Sequence, residues 1–167
     1  MRKSTAATAS ALFLLAGPGT VAGLIPYLLN RWRPRPPHPL RPLARTTGAL
    51  LITAGLALLT QAFHRFAGEG SGTPAPAAPP AALVTGGVYR HVRNPMYLAL
   101  IAITTGQALI FAGPWTPLYA ALLTALTTTY VRHREEPALR RRFGPAYDRY
   151  RRNVPAWIPR PTPWNPT

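Results

Sequence analysis

Two short stretches hold most of the polar groups that could do chemistry. The first, YRHVRNPMY over residues 89–97, sets Arg90, His91, Arg93 and Asn94 directly ahead of an apolar run that Pro95 opens. The second, VRHREEPALRRRFGPAYDRY over residues 131–150, places Glu135 and Glu136 side by side in an arginine-rich segment. The chain has only 4 Asp+Glu, namely Glu69, Glu135, Glu136 and Asp148, so an adjacent pair is informative. Two neighbouring carboxylates can hold a cationic amine or ribose hydroxyls, or can serve as counter-charges for the arginines around them. Arg93 and Tyr97 are four residues apart and share a helix face, as do Asn94 and Leu98. Asn94 is a candidate cap, and Pro95 suits a first helical position. The free N–H groups of that helix start suit an anion such as a carboxylate. His91 has no second histidine or carboxylate at ligand spacing, so no metal site is expected. No Gly-x-Gly-x-x-Gly fingerprint is present, and Gly86-Gly87 reads as a turn.

Apolar segments must position these groups. Hydrophobic types make up 47% of the 167 residues and charged types 14%, against about 25% charged in a typical soluble domain. That deficit points to a surface facing lipid. Three uncharged runs stand out, over residues 10–29, 46–62 and 94–131. The last exceeds the roughly 20 residues of one membrane crossing, and GPWTP at 113–117 supplies a turn near its middle. It reads as a hairpin with arms Met96 to Ala112 and Trp115 to Val131, which sets YRHVRNPMY beside the glutamate pair. The expected fold is an all-α membrane protein of about four transmembrane helices, with a C-terminal helical hairpin and a cytoplasmic amphipathic tail. Four crossings put Arg31, Arg33, Arg35, Arg41 and Arg45 on one side and the rest of the 19 Lys+Arg on the other. The positive-inside rule then places both termini in the cytoplasm of a bacterial cytoplasmic membrane. The first apolar run continues through Leu29 and reads as a retained anchor rather than a cleaved signal.

The expected organisation is two N-terminal transmembrane helices over 1–66, a flexible Gly/Pro/Ala linker over 67–82, a catalytic region over 83–160 and a tail over 161–167. The net charge of +15 suits nucleic acid, anionic lipid or a cytosolic membrane face. Because the basic residues flank apolar segments, lipid headgroups account for them and no nucleic-acid partner is expected. The chain has no cysteine, which removes disulfides and thiolate chemistry. In the tail, Leu139, Phe143 and Tyr147 recur at four-residue steps, with Tyr150 three further on. Gly144-Pro145 interrupts what reads as a surface-lying amphipathic helix. Trp157 and Trp164 suit a membrane interface.

In order, LVTGGVYRHVRNPMYLAL, a helical hairpin and REEPALRRRFGPAYDRYRRNVPAWIP resemble the isoprenylcysteine carboxyl methyltransferase and phospholipid methyltransferase superfamily, over roughly residues 43–160. Gly87, Tyr89, Arg93, Pro95 and Tyr97 match its Gly-x-Tyr and Arg-His-Pro-x-Tyr pattern. Asn94 stands in place of the usual histidine, as in the phosphatidylethanolamine methyltransferase branch. Glu135 and Glu136 match the family's paired glutamates, and Phe143, Gly144, Tyr147 and Tyr150 match its downstream pattern. The resemblance implies an integral membrane enzyme that uses S-adenosylmethionine to methylate a lipophilic or membrane-embedded acceptor, either an isoprenylcysteine-type carboxylate or a phospholipid-type amine. It implies that Glu135 and Glu136 hold polar cofactor atoms and that Arg93 and His91 meet a carboxylate or orient the acceptor. Tyr89, Asn94, Pro95 and Tyr97 would line the cofactor wall, with Tyr147 and Tyr150 closing the pocket. Arg93 and Glu136 are the candidate catalytic residues. Methyl displacement needs alignment more than acid or base groups, and no proton acceptor is assigned should the acceptor be an amine. The competing reading is a non-enzymatic membrane scaffold or transporter; a proton-coupled transporter would need an ionisable group inside a span, and the runs carry none. The choice among O-, N- and S-methylation and the oligomeric state stay open.

Overall fold

A computed structural model describes residues 15–69 and 82–165. The basic start and most of the expected linker, over 1–14 and 70–81, lie outside the described residues. Among those described every regular element is a helix, with one isolated bridge between Pro34 and Phe111.

Leu15–Leu24 winds as a π-helix with Pro18 inside it and leads into α1, Ile25–Asn30. A long helix, α2, spans Arg41–Glu69. After the Gly86-Gly87 turn and a single 3₁₀ turn over Gly87–Arg90, α3 runs Pro95–Ile110 and α4 Trp115–Tyr130. Pro95 sits in the first turn of α3, where its missing N–H costs nothing. A π-turn, Val131–Glu135, passes into α5, Glu136–Phe143. Gly144, at φ 51° and ψ −126°, breaks the chain before α6, Pro145–Asn153; that left-handed backbone is one a side chain would strain.

The tightest packing is between α2 and α3. A Cβ on Gly106 would sit 2.5 Å from the Gly48 carbonyl oxygen, and one on Gly48 would sit 2.6 Å from that of Gly106. One turn pair along, a Cβ on Gly55 would meet the Ala99 carbonyl oxygen at 2.9 Å. Small residues on both sides let the two backbones touch. Leu59, Ala99, Leu100 and Ile103 form the core beside this crossing. A second cluster, Ala62, Val84, Tyr89, Tyr147, Tyr150 and Val154, joins the C-terminal helices to the start of α3.

The expectation of about four transmembrane helices is corrected. Among the described residues one helix, over Arg41–Phe66, is long and apolar enough to cross a membrane. The reason is physical length. α3 and α4 have 16 residues each, about 24 Å at 1.5 Å per residue against a hydrocarbon core of roughly 30 Å. Of the N-terminal run, the described part is the π-wound Leu15–Leu24 followed by the six residues of α1. A multi-pass placement in a bacterial cytoplasmic membrane with both termini cytoplasmic rested on those crossings and falls with them. Trp164 is likewise not a free interfacial anchor, because its ring packs 5.6 Å from that of Tyr150.

Candidate functional site

The start of α3, the π-turn after α4, and α6 meet at one end of the molecule. Arg93 stands two residues before α3. Its Nη1 lies 2.9 Å from Glu136 Oε1 and donates to the Tyr147 hydroxyl at 3.2 Å. The Arg93 and Glu136 side chains are 10% and 15% exposed, so this ion pair is largely shielded. Glu136 Oε2 is 3.5 Å from Arg151 Nε. One turn along α3, Tyr97 hydrogen-bonds Glu135. Residues 93 and 97 therefore each take one of two consecutive glutamates, an arrangement that the π-turn presents by aiming both carboxylates at α3. Such π segments are frequent where a helix must aim side chains at a site.

The two carboxylates differ in how well they are satisfied. Glu136 has two arginine partners. Glu135 Oε2 is buried and has none, and neither has Arg93 Nε. Burial pushes the Glu135 carboxyl above the ordinary carboxylate range; the Tyr97 hydrogen bond opposes this and the Glu136 charge adds to it. Burial likewise raises the Tyr97 hydroxyl, with the charge of Glu135 next. Tyr89 is raised by burial and then by Glu135 and Glu69. Tyr147 is raised by burial and by Glu136, with Arg93 opposing.

Tyr150 donates its hydroxyl to the Tyr89 carbonyl at 2.6 Å, which joins α6 to the 3₁₀ turn. Arg93, Tyr97, Glu135, Glu136 and Tyr147 thus form one cluster, with Tyr89 and Tyr150 packed behind it. His91 and Asn94 are placed differently. His91 donates Nδ1–H to the Arg160 carbonyl at 2.8 Å, and Asn94 Nδ2 donates to the Ala156 carbonyl at 3.1 Å. Asn94 makes no side-chain cap, although its own carbonyl accepts the first α3 bond from Leu98 at 3.0 Å. Pro95 is buried in the first turn of α3.

The segment after α6 runs back along residues 90–94 as a strap. Arg93 N–H donates to Pro155 O at 2.9 Å, and Arg160 N–H to His91 O at 3.0 Å. Trp164 N–H donates to Arg90 O at 3.0 Å. Sequence reasoning missed this strap and also Arg151. The strap bonds through backbone carbonyls, which leave no signature in residue type, while Arg151 is one of several arginines in its run.

The two orphaned atoms test whether S-adenosylmethionine fits. A buried donor, Arg93 Nε, and a buried acceptor, Glu135 Oε2, at one end of α3 have no partner in the protein and are complementary to a group that offers an acceptor and a donor. The carboxylate and ammonium, or the ribose hydroxyls, of that cofactor meet the requirement. No group of metal-ligating side chains occurs among the described residues.

A family model described as phospholipid methyltransferase matches residues 43–146, more than half of the chain. The match takes in α2, α3, α4, the glutamate pair and α5, and it ends one residue before Tyr147. No curated protein and no solved structure matches the chain. With most of α2, the Arg-x-Pro-x-Tyr start, the hairpin and the glutamate pair all inside that match, the chain belongs to the phospholipid methyltransferase family.

Proposed function

We propose that the protein is an S-adenosylmethionine-dependent methyltransferase acting on a lipophilic acceptor by direct methyl displacement. The observation that carries this reading is the buried, unpartnered pair Arg93 Nε and Glu135 Oε2 inside the family-matched region. The cofactor supplies an electrophilic methyl group on a sulfonium centre. Glu135 accepts a hydrogen bond from an ammonium or hydroxyl group while Tyr97 holds its carboxylate. Arg93 donates from Nε and is kept in place by Glu136 and Tyr147. Glu136 is a positioning residue, because both of its oxygens already face arginines. Arg151 braces it from α6, and Tyr150 locks that helix to the 3₁₀ turn. His91 and Asn94 hold the strap rather than the cofactor. These side chains bind and orient, which is what the displacement itself needs; an amine acceptor also gives up a proton, and no side chain is assigned to take it.

Either a phospholipid-type amine or an isoprenylcysteine-type carboxylate is compatible with that chemistry. The family match favours the former. The purified full-length chain, titrated calorimetrically with S-adenosylmethionine in detergent and in lipid nanodiscs, should show saturable binding. It should also transfer labelled methyl groups to a product extractable into organic solvent. Absence of saturable binding in both media contradicts the enzyme reading.

A further inference from the structure

At the C-terminal end of α3, away from the cofactor cluster, the connection between α1 and α2 reads RWRPRPPHPLRP over residues 31–42. Proline fixes φ near −65°, and the residue before a proline is pushed to extended backbone. Pro34, Pro36 and Pro37 are themselves prolines, and Arg33, Arg35 and His38 each precede one. Every residue from 33 to 38 is therefore biased toward the polyproline II conformation. In the fold this stretch contains neither helix nor turn, and its one pairing is the bridge at Pro34.

Polyproline II repeats every three residues, so the stretch has three edges. One edge is turned onto the protein. Arg35 donates from Nε to Phe111 O at 2.8 Å and from Nη2 to Ala108 O at 2.7 Å. Trp32, three residues earlier, donates Nε1–H to Gln107 at 3.3 Å, and its ring stacks on Phe111 with centroids 6.3 Å apart. The backbone is held as well, because Ala112 N–H donates to Arg33 O at 2.8 Å. The other two edges carry Arg33 and Pro36, and Pro34 and Pro37, and all four are exposed, as is Arg31 beside them.

We propose that this stretch is a docking surface for a protein module whose groove is lined by aromatic side chains and rimmed by acids. Arg33-Pro34 and Pro36-Pro37 are two X-Pro pairs one turn apart, the Pro-x-x-Pro spacing that aromatic grooves take up. A groove that grips two edges leaves the third facing away, and here the third is the edge already fixed to the end of α3. Because the prolines and the Arg35 anchor order the stretch beforehand, docking loses little conformational entropy. Residues 31–45 hold five arginines and no acid, which selects the acidic rim. A bare polyanion would engage the arginines alone; Arg35 is already bonded to carbonyls, and the exposed proline edges offer such a partner nothing. The surface does not depend on the methyltransferase reading.

The probe is an isolated SH3 domain that binds Pro-x-x-Pro ligands with an arginine three residues upstream, the spacing of Arg31, Pro34 and Pro37. Titrated calorimetrically into the full-length chain, it should bind saturably, at least as tightly as it binds a synthetic peptide of residues 31–42. Pro34→Ala and Pro37→Ala should each weaken binding about tenfold, as for anchor residues at an interface centre. Arg31→Gln, at the rim, should weaken it less than about fivefold. Melting checks that each variant is folded; Pro37 is exposed and outside the bridge, so Pro37→Ala decides the matter even if Pro34→Ala is unstable. S-adenosylmethionine affinity should stay within twofold throughout. Absence of saturable binding, or wild-type affinity in Pro37→Ala, overturns the proposal. So does a loss confined to Arg31→Gln, which would make the stretch a plain anion-attracting patch. Binding of the free peptide at least about tenfold tighter than the chain would show that the anchored edge hides the other two, and overturns it as well.

Discussion

The two ends of α3 solve the same problem differently. At its C-terminal end, polar groups from the N-terminal segment are matched one to one. Gln107 donates to Ala22 O at 2.6 Å and accepts from Trp32 Nε1 at 3.3 Å. Asn30 donates to the Thr116 hydroxyl at 2.9 Å. Arg35 donates to Phe111 O at 2.8 Å and Ala108 O at 2.7 Å, which satisfies the last carbonyls of the helix. One orphan sits nearby in the fold, Arg41 Nε at the first residue of α2, a lone donor. At the N-terminal end, a buried donor and a buried acceptor are left open together, in Arg93 and Glu135. An unsatisfied buried polar atom costs roughly 1–3 kcal/mol. We read the unpartnered donor and acceptor at the N-terminal end as atoms a ligand completes, and the satisfied end as structural.

The largest effect should come from uncoupling the two ends. Gly106→Leu forces apart two backbones whose carbonyl oxygen and Cβ would be 2.5 Å apart. It should cost more than about 3 kcal/mol, the top of the overpacking range, and thermal melting should show loss of the folded chain. Next is Glu136→Gln, which leaves Arg93 without its shielded partner. We expect a loss of roughly 3 kcal/mol, the lower bound for breaking a buried pair, together with weaker S-adenosylmethionine binding because Arg93 is no longer held. Arg35→Gln at the satisfied end should cost about 1–2 kcal/mol from its lost carbonyl bonds and leave cofactor affinity within twofold. Equal loss of affinity in Arg35→Gln would erase the distinction between the ends. The smallest effect belongs to Arg151→Gln. Arg151 is half exposed and 3.5 Å from Glu136, so melting should change by less than about 1 kcal/mol.

Much of this arrangement was legible in the chain. The uncharged run with GPWTP at its centre gives hairpin arms that differ by one or two residues from Pro95–Ile110 and Trp115–Tyr130. The four-residue spacing of Arg93 and Tyr97 anticipates that they work together, and the scarcity of acids singles out the glutamates they meet. Apolar composition was the poorer guide. It counts uncharged residues and reads crossings into hairpin arms too short for one, and it does not register that Pro18 sits inside a π-wound segment. Thr124, Thr127 and Thr128 of α4 turn their hydroxyls back on its own carbonyls, as Thr124 does to Ala120 O at 2.8 Å. They therefore read as polar in sequence while staying self-satisfied in the helix. His91 and Asn94 were drawn to the cofactor by the family resemblance, and in the fold their side chains bond the carbonyls of Arg160 and Ala156, more than sixty residues away. Carbonyl contacts at that separation carry no residue-type signal.

The most direct measurement pairs S-adenosylmethionine calorimetry with ligand-free melting for wild type and Glu135→Gln, between about pH 5 and 8. Because burial raises the Glu135 carboxyl in the folded protein, its contribution to stability is fully present below the ordinary carboxylate value. That contribution is lost as pH rises through the raised value. Wild-type melting should therefore fall across that window by an increment that Glu135→Gln lacks, and binding a cationic ligand at Glu135 should release protons there. The substitution should weaken S-adenosylmethionine binding roughly ten- to a hundredfold while ligand-free melting at neutral pH is unchanged or raised. Unchanged affinity with lowered melting would contradict the assignment and make Glu135 a structural counter-charge.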